Sequence, residues 1–462
     1  MRRSFIVDIE ESCQHLMQTA PDLQELVNRI RTRDYTIGIM GLGYVGLPLA
    51  MISLDAGFKV IGFDIDASRV ALLNRGETGI DHLPGAAIKV AVDSKRFRAT
   101  SDFADLSEPD AILIAVPTPL TRNREPNLSF VENSARAIAE RLRPGQLVVL
   151  ESTTWPGTTR EVVQPLLEAT NLSLGKDFFL AYSPERVDPG NDVHTTATVA
   201  KVIGADDPSS LQVAKELYDQ IIVQTVPVAS AATAEAVKLT ENIFRSVNIA
   251  LVNELKVIFD RMGIDVWEVI EAAKTKPFGY MAFYPGPGLG GHCIPIDPFY
   301  LTWKAREYEV TTRFIELAGE INTNMPHYVV DRLVEALDRR AGRGLSGSRI
   351  LVIGMSYKKN VGDTRESPSL KLIDIMERRG AVVDYHDPYV PEIPGTREYA
   401  TLAGRPSVDI CASSLASYDA VVISTDHDAI DWQNITKHAK LVLDTRNACA
   451  RSQSRTDNVV KA

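Results

Sequence analysis

One short stretch near the start of the chain limits the possible folds more than any other. Tyr35 to Met40 is an apolar run, Gly41-Leu-Gly43-Tyr-Val-Gly46 follows at once, and a helical pattern then runs to Ala56 and stops at Gly57. An uninterrupted apolar run is what a strand buried on both faces requires. The first glycine permits the tight turn, the second lets the backbone approach a pyrophosphate, and the third lets helix and strand pack closely. The helix N-terminus adds free N–H groups and a partial positive charge for phosphates. Glycines spaced this way can serve chain reversal alone, but the preceding strand and following helix supply the context of a dinucleotide fingerprint. A second run, Lys59 to Phe63, ends at Asp64. A carboxylate there accepts hydrogen bonds from a ribose diol and repels a 2′-phosphate, which favours NAD over NADP. Arg69 nearby could stack on adenine or contact phosphate, which tempers that preference.

Further apolar strands alternate with helical segments at Ala111–Val116, Leu147–Leu150, Phe178–Tyr182 and Val199–Ile203. This βαβ alternation predicts a parallel sheet with helices on both faces. From Ala231 to Met262 a helical pattern runs without Gly or Pro and stops at Gly263. Roughly 30 residues make on the order of 45 Å of helix, long enough to bridge domains or form a subunit interface. A Gly/Pro-rich loop spans Tyr284 to Pro298, and helical patterns resume at Ala305–Ile321 and Tyr328–Arg340. Alternation then restarts with strand Arg349–Ile353, helix Ser369–Arg379 and strands Val382–Tyr385, Ala420–Ser424 and Leu441–Leu443. The expected class is α/β: two Rossmann-like, doubly wound parallel-sheet domains joined by a central helical domain. The boundaries expected are 1–33 for an N-terminal helical extension, 34–215 for the NAD domain, 216–335 for the helical domain, 336–450 for the second Rossmann-like domain and 451–462 for a frayed tail. In the extension, Leu16, Leu23, Leu26, Val27 and Ile30 recur at helical spacing, as in a short amphipathic helix.

At 462 residues the chain is too long for one hydrophobic core. Its formal net charge of -10 argues against nucleic acid as a partner, because phosphate backbones need clustered Lys and Arg. Cys13, Cys293, Cys411 and Cys449 form no CxxC pair and suit neither a metal site nor a disulfide scaffold. A reducing, cytoplasmic setting fits them. No signal-peptide-like apolar run opens the chain and no stretch is long enough to span a membrane.

Several residues outside the glycine turn carry potential chemistry. Thr118 in Val116-Pro-Thr-Pro119 and Thr153 in Glu151-Ser-Thr-Thr154 each follow a predicted strand, at the carboxyl ends where ligands bind in such sheets. Glu185 ends another strand. Lys238 and Asn242 stand four apart on the long helix and so share a face. An amine and an amide side by side suit a developing oxyanion, although a solvent-facing lysine is the simpler reading. Cys293 lies among glycines and prolines, with His292 before it and Asp297 four residues on. Local chemistry alone leaves a structural thiol the simpler reading and a nucleophile the alternative. Lys358, Lys359, Arg365 and Arg446 follow strands of the second half, either as an anion site or as solvated loop charges.

Taken together, the segments GLGYVGLPLA (41–50), VPTP (116–119), ESTTWPGTT (151–159), YSPERVDPGN (182–191), KLTENIFRSVNIALVNEL (238–255), GPGLGGHCIPIDP (286–298) and YKKNVGDTRESPS (357–369) closely resemble the UDP-sugar 6-dehydrogenase family, in the family's order. The resemblance implies an NAD domain, a central helical domain that dimerises and a C-terminal UDP-binding domain. It implies that Gly41, Gly43, Tyr44, Val45, Gly46, Asp64, Arg69, Thr118 and Thr153 hold NAD, with Arg365 reaching it from the C-terminal domain. Glu185, Arg186, Lys238, Asn242, Gly290, Lys358 and Arg446 would hold the UDP-sugar. The implied chemistry oxidises the sugar C6 alcohol to an aldehyde, captures it on Cys293 as a thiohemiacetal, oxidises that to a thioester and hydrolyses it. Lys238 and Asn242 would stabilise the oxyanion, Asp297 would orient Lys238 and activate water, and Thr153 and Glu185 would hold water or substrate.

Two departures bear on the sugar. Glucose-oxidising members often carry a second Glu four residues after the one matching Glu185, where this chain has Pro189. An arginine that some members donate across the dimer has no counterpart in Lys274–Tyr280. Both tell against UDP-glucose, and YSPERVDPGN (182–191) with AKTKPFGYMAFYPGPGLGGHC (273–293) resembles the branch acting on UDP-N-acetylglucosamine, whose product feeds surface polysaccharides, with UDP-glucose, UDP-GalNAc and UDP-ManNAc as alternatives. A two-electron hydroxyacid dehydrogenase would have no use for Cys293, and a non-catalytic nucleotide-binding protein no use for the whole set. A homodimer or higher homo-oligomer is expected, and no metal.

Overall fold

A computed structural model describes residues 22–79, 85–121, 123, 125–186, 198–291, 294–396 and 398–462. The chain folds as two compact units, Met1–Thr240 and Glu241–Ala462, with the boundary inside the helix Ala231–Met262.

The first unit is built on eight strands: β1 (Thr36–Met40), β2 (Lys59–Phe63), β3 (Phe97–Thr100), β4 (Ala111–Ile114), β5 (Leu147–Leu150), β6 (Phe179–Tyr182), β7 (Lys201–Gly204) and β8 (Thr225–Val228), in the order β3-β2-β1-β4-β5-β6-β7-β8. The order reverses between β1 and β4, so the carboxyl ends of these two strands open the crevice in which such sheets bind ligands. The parallel sheet expected runs from β3 through β6 in this order, and only its far edge departs from it. β6 and β7 meet antiparallel, at Tyr182 and Gly204, and β8 runs parallel to β7. Reversed edge strands on an otherwise parallel sheet are common. β4, β5 and β6 are buried along their whole length, which is why they read as unbroken apolar runs. The amphipathic helix expected in the extension is Leu23–Thr32, with Leu26, Val27 and Ile30 buried. Arg31 pairs with Glu216 at 2.8 Å and Arg29 with Asp110 at 2.9 Å, which fixes it to this unit. Leu16 lies outside the described residues.

The second unit carries a five-stranded sheet: β9 (Arg349–Ile353), β10 (Val382–His386), β11 (Ala420–Ile423), β12 (Val442–Asp444) and β13 (Val459–Lys461), in the order β10-β9-β11-β12-β13 and parallel throughout. The tail expected to fray instead ends in β13, which pairs with β12 from Val442↔Val459 to Asp444↔Lys461. The two helices expected at 305–321 and 328–340 are one long helix, Arg313–Ala341, that runs through Pro326, and a short helix, Asp297–Ala305, precedes it. Proline removes one helical hydrogen bond, but Asn322, Met325, Pro326 and Val329 are all buried, and that packing carries the helix through. Among the described residues no helix is long and apolar enough to cross a membrane.

Candidate active site

The glycine turn after β1 behaves as its spacing suggests. Gly41 sits at φ +89°, and a Cβ there would lie 2.6 Å from the carbonyl oxygen of Ala115. A Cβ at Gly46 would lie 1.8 Å from the carbonyl oxygen of Gly41, so only hydrogen fits. Gly43 is different: a Cβ there would meet nothing within 4 Å. Its bare backbone therefore faces open space rather than a packed neighbour. The helix Gly46–Asp55 starts from Val45 with no side-chain cap and no acid in its first turn. Leu47 and Leu49 donate their N–H groups to the carbonyls of Gly43 and Val45, at 3.1 and 3.2 Å, so what the helix start offers an anion is the positive end of its dipole. Tyr44 beside it is exposed.

Asp64 and Arg69 grip the same turn. Asp64 Oδ2 accepts the N–H of Leu42 at 2.9 Å and its Oδ1 accepts that of Asp66 at 3.0 Å, while Arg69 donates to the carbonyl of Leu42 at 3.2 Å. A carboxylate has about four acceptor positions, so Asp64 keeps capacity for a ribose diol. Thr118 is buried and Thr153 half-buried, beyond β4 and β5. Ser152 ties the two segments together by donating to the carbonyl of Val116 at 2.7 Å. The bare glycine, the uncapped helix and the carboxylate at the end of β2 fit a dinucleotide.

Past β5 and β6 lies a buried charge network that the sequence reading missed. Lys201 Nζ donates to Glu151 Oε2 at 2.6 Å and to the carbonyl of Pro184 at 3.2 Å, and stands 3.8 Å from Glu185. Tyr218 OH also donates to Glu151. Burial pushes the Glu151 carboxyl up, and the lysine opposes it. Lys201 thus anchors the segment carrying Glu185, whose Oε1 accepts the N–H of Arg186. Arg186 reaches back to the carbonyl of Ala200 at 2.6 Å. A second missed residue, Glu235, is fully buried one turn into the long helix. It accepts the N–H groups of Gly157 at 2.5 Å and Thr159 at 2.8 Å and the Thr159 hydroxyl at 2.7 Å. It therefore fixes the loop that follows Thr153. An acid in an otherwise apolar turn, Ala-Glu-Ala-Val, was the available signal. Lys238, one turn on, is buried.

In the second unit Asn242 and Asp297 come together. Asn242 Nδ2 donates to Asp297 Oδ2 at 2.6 Å, both side chains are buried, and Arg245 donates to Asn242 Oδ1 at 3.0 Å. Asp297 opens the helix Asp297–Ala305, where the helix dipole favours a negative charge. His292 and Cys293 lie outside the described residues, as do Pro189 and Cys13.

The Gly/Pro loop before Asp297 packs against the segment after β9. A Cβ at Gly290 would lie 2.5 Å from Tyr357 Cβ, and Gly291 donates its N–H to the carbonyl of Arg365 at 3.0 Å. The Arg365 side chain is held on Asp363, with Nη2 to Oδ2 at 2.6 Å. Lys358 is half-buried, whereas Lys359 pairs with Asp428 at the surface, at 2.7 Å. The loop bearing Lys358 is latched by His427: its Nδ1 accepts the N–H of Asn360 at 2.9 Å and its Nε2 lies 3.0 Å from Asp387 Oδ2. Arg446 follows β12, its Nε donating to the carbonyl of Ser424 at 2.9 Å. No cluster of His, Cys, Asp and Glu suited to a metal occurs among the described residues.

Comparison with known proteins fits this geometry. Three family profiles match in order: the UDP-glucose/GDP-mannose dehydrogenase family NAD binding domain over residues 35–222, its central domain over 232–324 and its UDP binding domain over 351–451. The chain is 35% identical over 414 residues to UDP-N-acetyl-D-glucosamine 6-dehydrogenase of Pseudomonas aeruginosa, covering 88% of this chain and 95% of that one. It is 36% identical to NDP-N-acetyl-D-galactosaminuronic acid dehydrogenase of Ralstonia nicotianae, covering 89% and 95%. Among solved structures, the UDP-D-ManNAc dehydrogenase of Pyrococcus horikoshii superposes with a TM-score of 0.80 at 34% identity, covering 89% of this chain and 96% of that one.

Proposed function

Because the chain belongs to the UDP-glucose/GDP-mannose dehydrogenase family of NAD-dependent nucleotide-sugar dehydrogenases, we propose that it oxidises the C6 hydroxymethyl of a UDP-N-acetylhexosamine, UDP-N-acetyl-D-glucosamine first among them, to the uronate. The observation that carries this reading is the buried Asn242–Asp297 pair, its carboxylate four residues past Cys293. Relatives named for GlcNAc, ManNAc and GalNAcA support the N-acetylhexosamine class, as does Pro189 in place of a second acid.

NAD, held by the Gly41–Gly46 turn and Asp64, supplies the hydride acceptor for both oxidations. The chain's own residues do the rest. Lys238 and Asn242 donate hydrogen bonds to the C6 oxygen as it gains negative charge. The Cys293 thiolate adds to the aldehyde carbon, forming a C–S bond and an alkoxide. Loss of hydride from that carbon leaves the thioester. Water, deprotonated with the help of Asp297, adds to the thioester carbonyl, and collapse expels the thiolate. One alcohol, two NAD and one water give one carboxylate, two NADH and three protons. Covalent capture keeps the aldehyde from escaping. Glu185 and Thr153 hold water or substrate, Lys358, Gly290, Arg186 and Arg446 hold the nucleotide sugar, and Arg365 is assigned to NAD binding.

The reaction would run in the cytoplasm and supply surface polysaccharide synthesis. A homodimer is supported by Phe244, Leu251 and Ile258, exposed at seven-residue spacing on one face of the long helix, and by exposed Phe314 and Leu317 on the helix Arg313–Ala341. Comparing kcat/KM for UDP-GlcNAc, UDP-GalNAc, UDP-ManNAc and UDP-glucose tests the sugar assignment. Preference for an N-acetylated sugar is expected, and preference for UDP-glucose would overturn it.

A further inference from the structure

Lys256 lies on the helix Ala231–Met262, one turn beyond Asn253. It is 4% exposed, and its Nζ has no hydrogen-bond partner among the described residues. A buried ammonium without a partner loses its hydration and gains nothing in return, which is strongly destabilising. Charges surround it without bonding it. Asp260 comes from its own helix, Arg332 from the helix Arg313–Ala341, and Asp444 and Arg446 from the end of β12. The ring of Tyr328 is 6.0 Å away.

Both acids are engaged elsewhere. Asp260 accepts from Tyr328 OH at 3.0 Å and from Arg332 at 3.3 Å. Asp444 accepts the N–H groups of Arg446 and Cys449, each at 2.9 Å. Arg446 is itself tightly enclosed: its guanidinium packs on Gly286, where a Cβ would lie 2.4 Å from Nη1. The N–H of that same Gly286 is held by Asn253 Oδ1 at 3.0 Å. The Gly/Pro loop thus joins the turn of helix bearing Lys256 to Arg446. Lys256 thus has Arg446 for an electrostatic neighbour, the acids near it accept from other donors, and its own donors are unused.

We propose that Lys256 is a nucleotide-binding residue that, with Arg446, forms a cationic subsite for the phosphate oxygens of the UDP group. This rests on the reading of the second unit as the UDP-binding part of the enzyme. Nucleotide phosphates supply the acceptors that the chain itself withholds from the amine. Binding is also linked to protonation. Burial lowers the Lys256 amine, Asp444 and Asp260 oppose this, Arg446 and Arg332 add to it, and the outcome is about 7. At pH 8 the amine in the free enzyme is largely neutral. A bound dianion favours its protonated form, so UDP binding takes up a proton.

Titration calorimetry of UDP into the full-length chain at pH 8, in two buffers of different ionisation enthalpy, tests this for the wild type, Lys256→Met and Lys256→Arg. The wild type should bind UDP with uptake of about one proton. Lys256→Met should bind on the order of 10-fold more weakly, without uptake. Lys256→Arg, permanently charged, should keep much of the affinity but show no uptake. NAD affinity and melting temperature report on folding, and if Lys256→Met fails them, Lys256→Arg alone decides the matter. Wild-type affinity and uptake in Lys256→Met, or undiminished uptake in Lys256→Arg, would overturn the inference while leaving the UDP-binding reading intact. A wild type that does not bind UDP overturns both.

Discussion

The amide of Asn242 donates to the carboxylate of Asp297 over 2.6 Å, in a site closed to solvent. Arg245, on the other side of the amide, donates to its oxygen and so sets which way the amide faces. Asp297 Oδ2 is thereby fixed by the amide, at the start of the helix Asp297–Ala305. Replacing Asn242 with Ala leaves a buried carboxylate and a guanidinium short of partners. The expected result is a fall in kcat of about 10²–10³-fold with a much smaller change in KM for the UDP-sugar. Steady-state kinetics check it, and a change confined to KM would count against a role in the reaction.

Gly43 and Gly46 should fail in different ways. The space around Gly43 is open, whereas Gly46 touches the Gly41 carbonyl. Gly43→Val should keep the wild-type melting temperature and weaken NAD binding about 10-fold or more, since the side chain enters the path of the pyrophosphate. Gly46→Ala should lower the melting temperature as well. Calorimetric NAD titration and thermal melts separate the two.

Glu235 satisfies three donors of the loop after Thr153. Glu235→Ala leaves them buried and unsatisfied, at a cost of roughly 1–3 kcal/mol for the first and less for any that water reaches. At about 2–4 °C per kcal/mol for units of this size, the melting temperature should drop by several degrees. Because the loop continues directly from Thr153, kcat should fall too.

Lys256 makes stability depend on pH with a definite sign. Its folded-state value is lowered from 10.5 to about 7. Above pH 7 the unfolded chain therefore binds more protons at this site than the folded chain does, and the lysine's contribution to stability rises with pH up to about 10.5. At pH 6 the folded protein carries the full cost of the buried charge. Lys256→Met should therefore be more stable than the wild type by its largest margin near pH 6, with the margin shrinking by pH 9. Paired melts across that range check it. A margin that grows with pH would contradict the burial of the amine.

Much of the fold is legible in the sequence because its central strands are buried on both faces. β1, β4, β5, β9 and β11 announce themselves as apolar runs, and the long helix shows its ends at Ala231 and Met262. The edges are harder. β3 reads Phe-Arg-Ala-Thr and β8 Thr-Val-Pro-Val, with β8 open to solvent along its length. β13 is three half-buried residues that only pairing with β12 makes a strand. Pro326 divides, in the sequence pattern, a helix that tertiary packing keeps whole.

The site divides along similar lines. The glycine turn and Asp64 are local, so spacing reveals them. Asn242 and Asp297 are brought together by folding, and the resemblance, not periodicity, points to the pair. Lys201, Glu235 and His427 act through partners distant in sequence, Lys256 is enclosed largely by segments distant in sequence, and no short motif marks these residues.

The central proposal is that one UDP-sugar loses four electrons through a covalent intermediate on Cys293. Counting NADH formed per UDP-GlcNAc consumed, for the wild type and for Cys293→Ala, tests it most directly. Two NADH per sugar are expected for the wild type, with uronate as product, and loss of this four-electron turnover in Cys293→Ala. One NADH per sugar in the wild type, or two at an undiminished rate in Cys293→Ala, would contradict it.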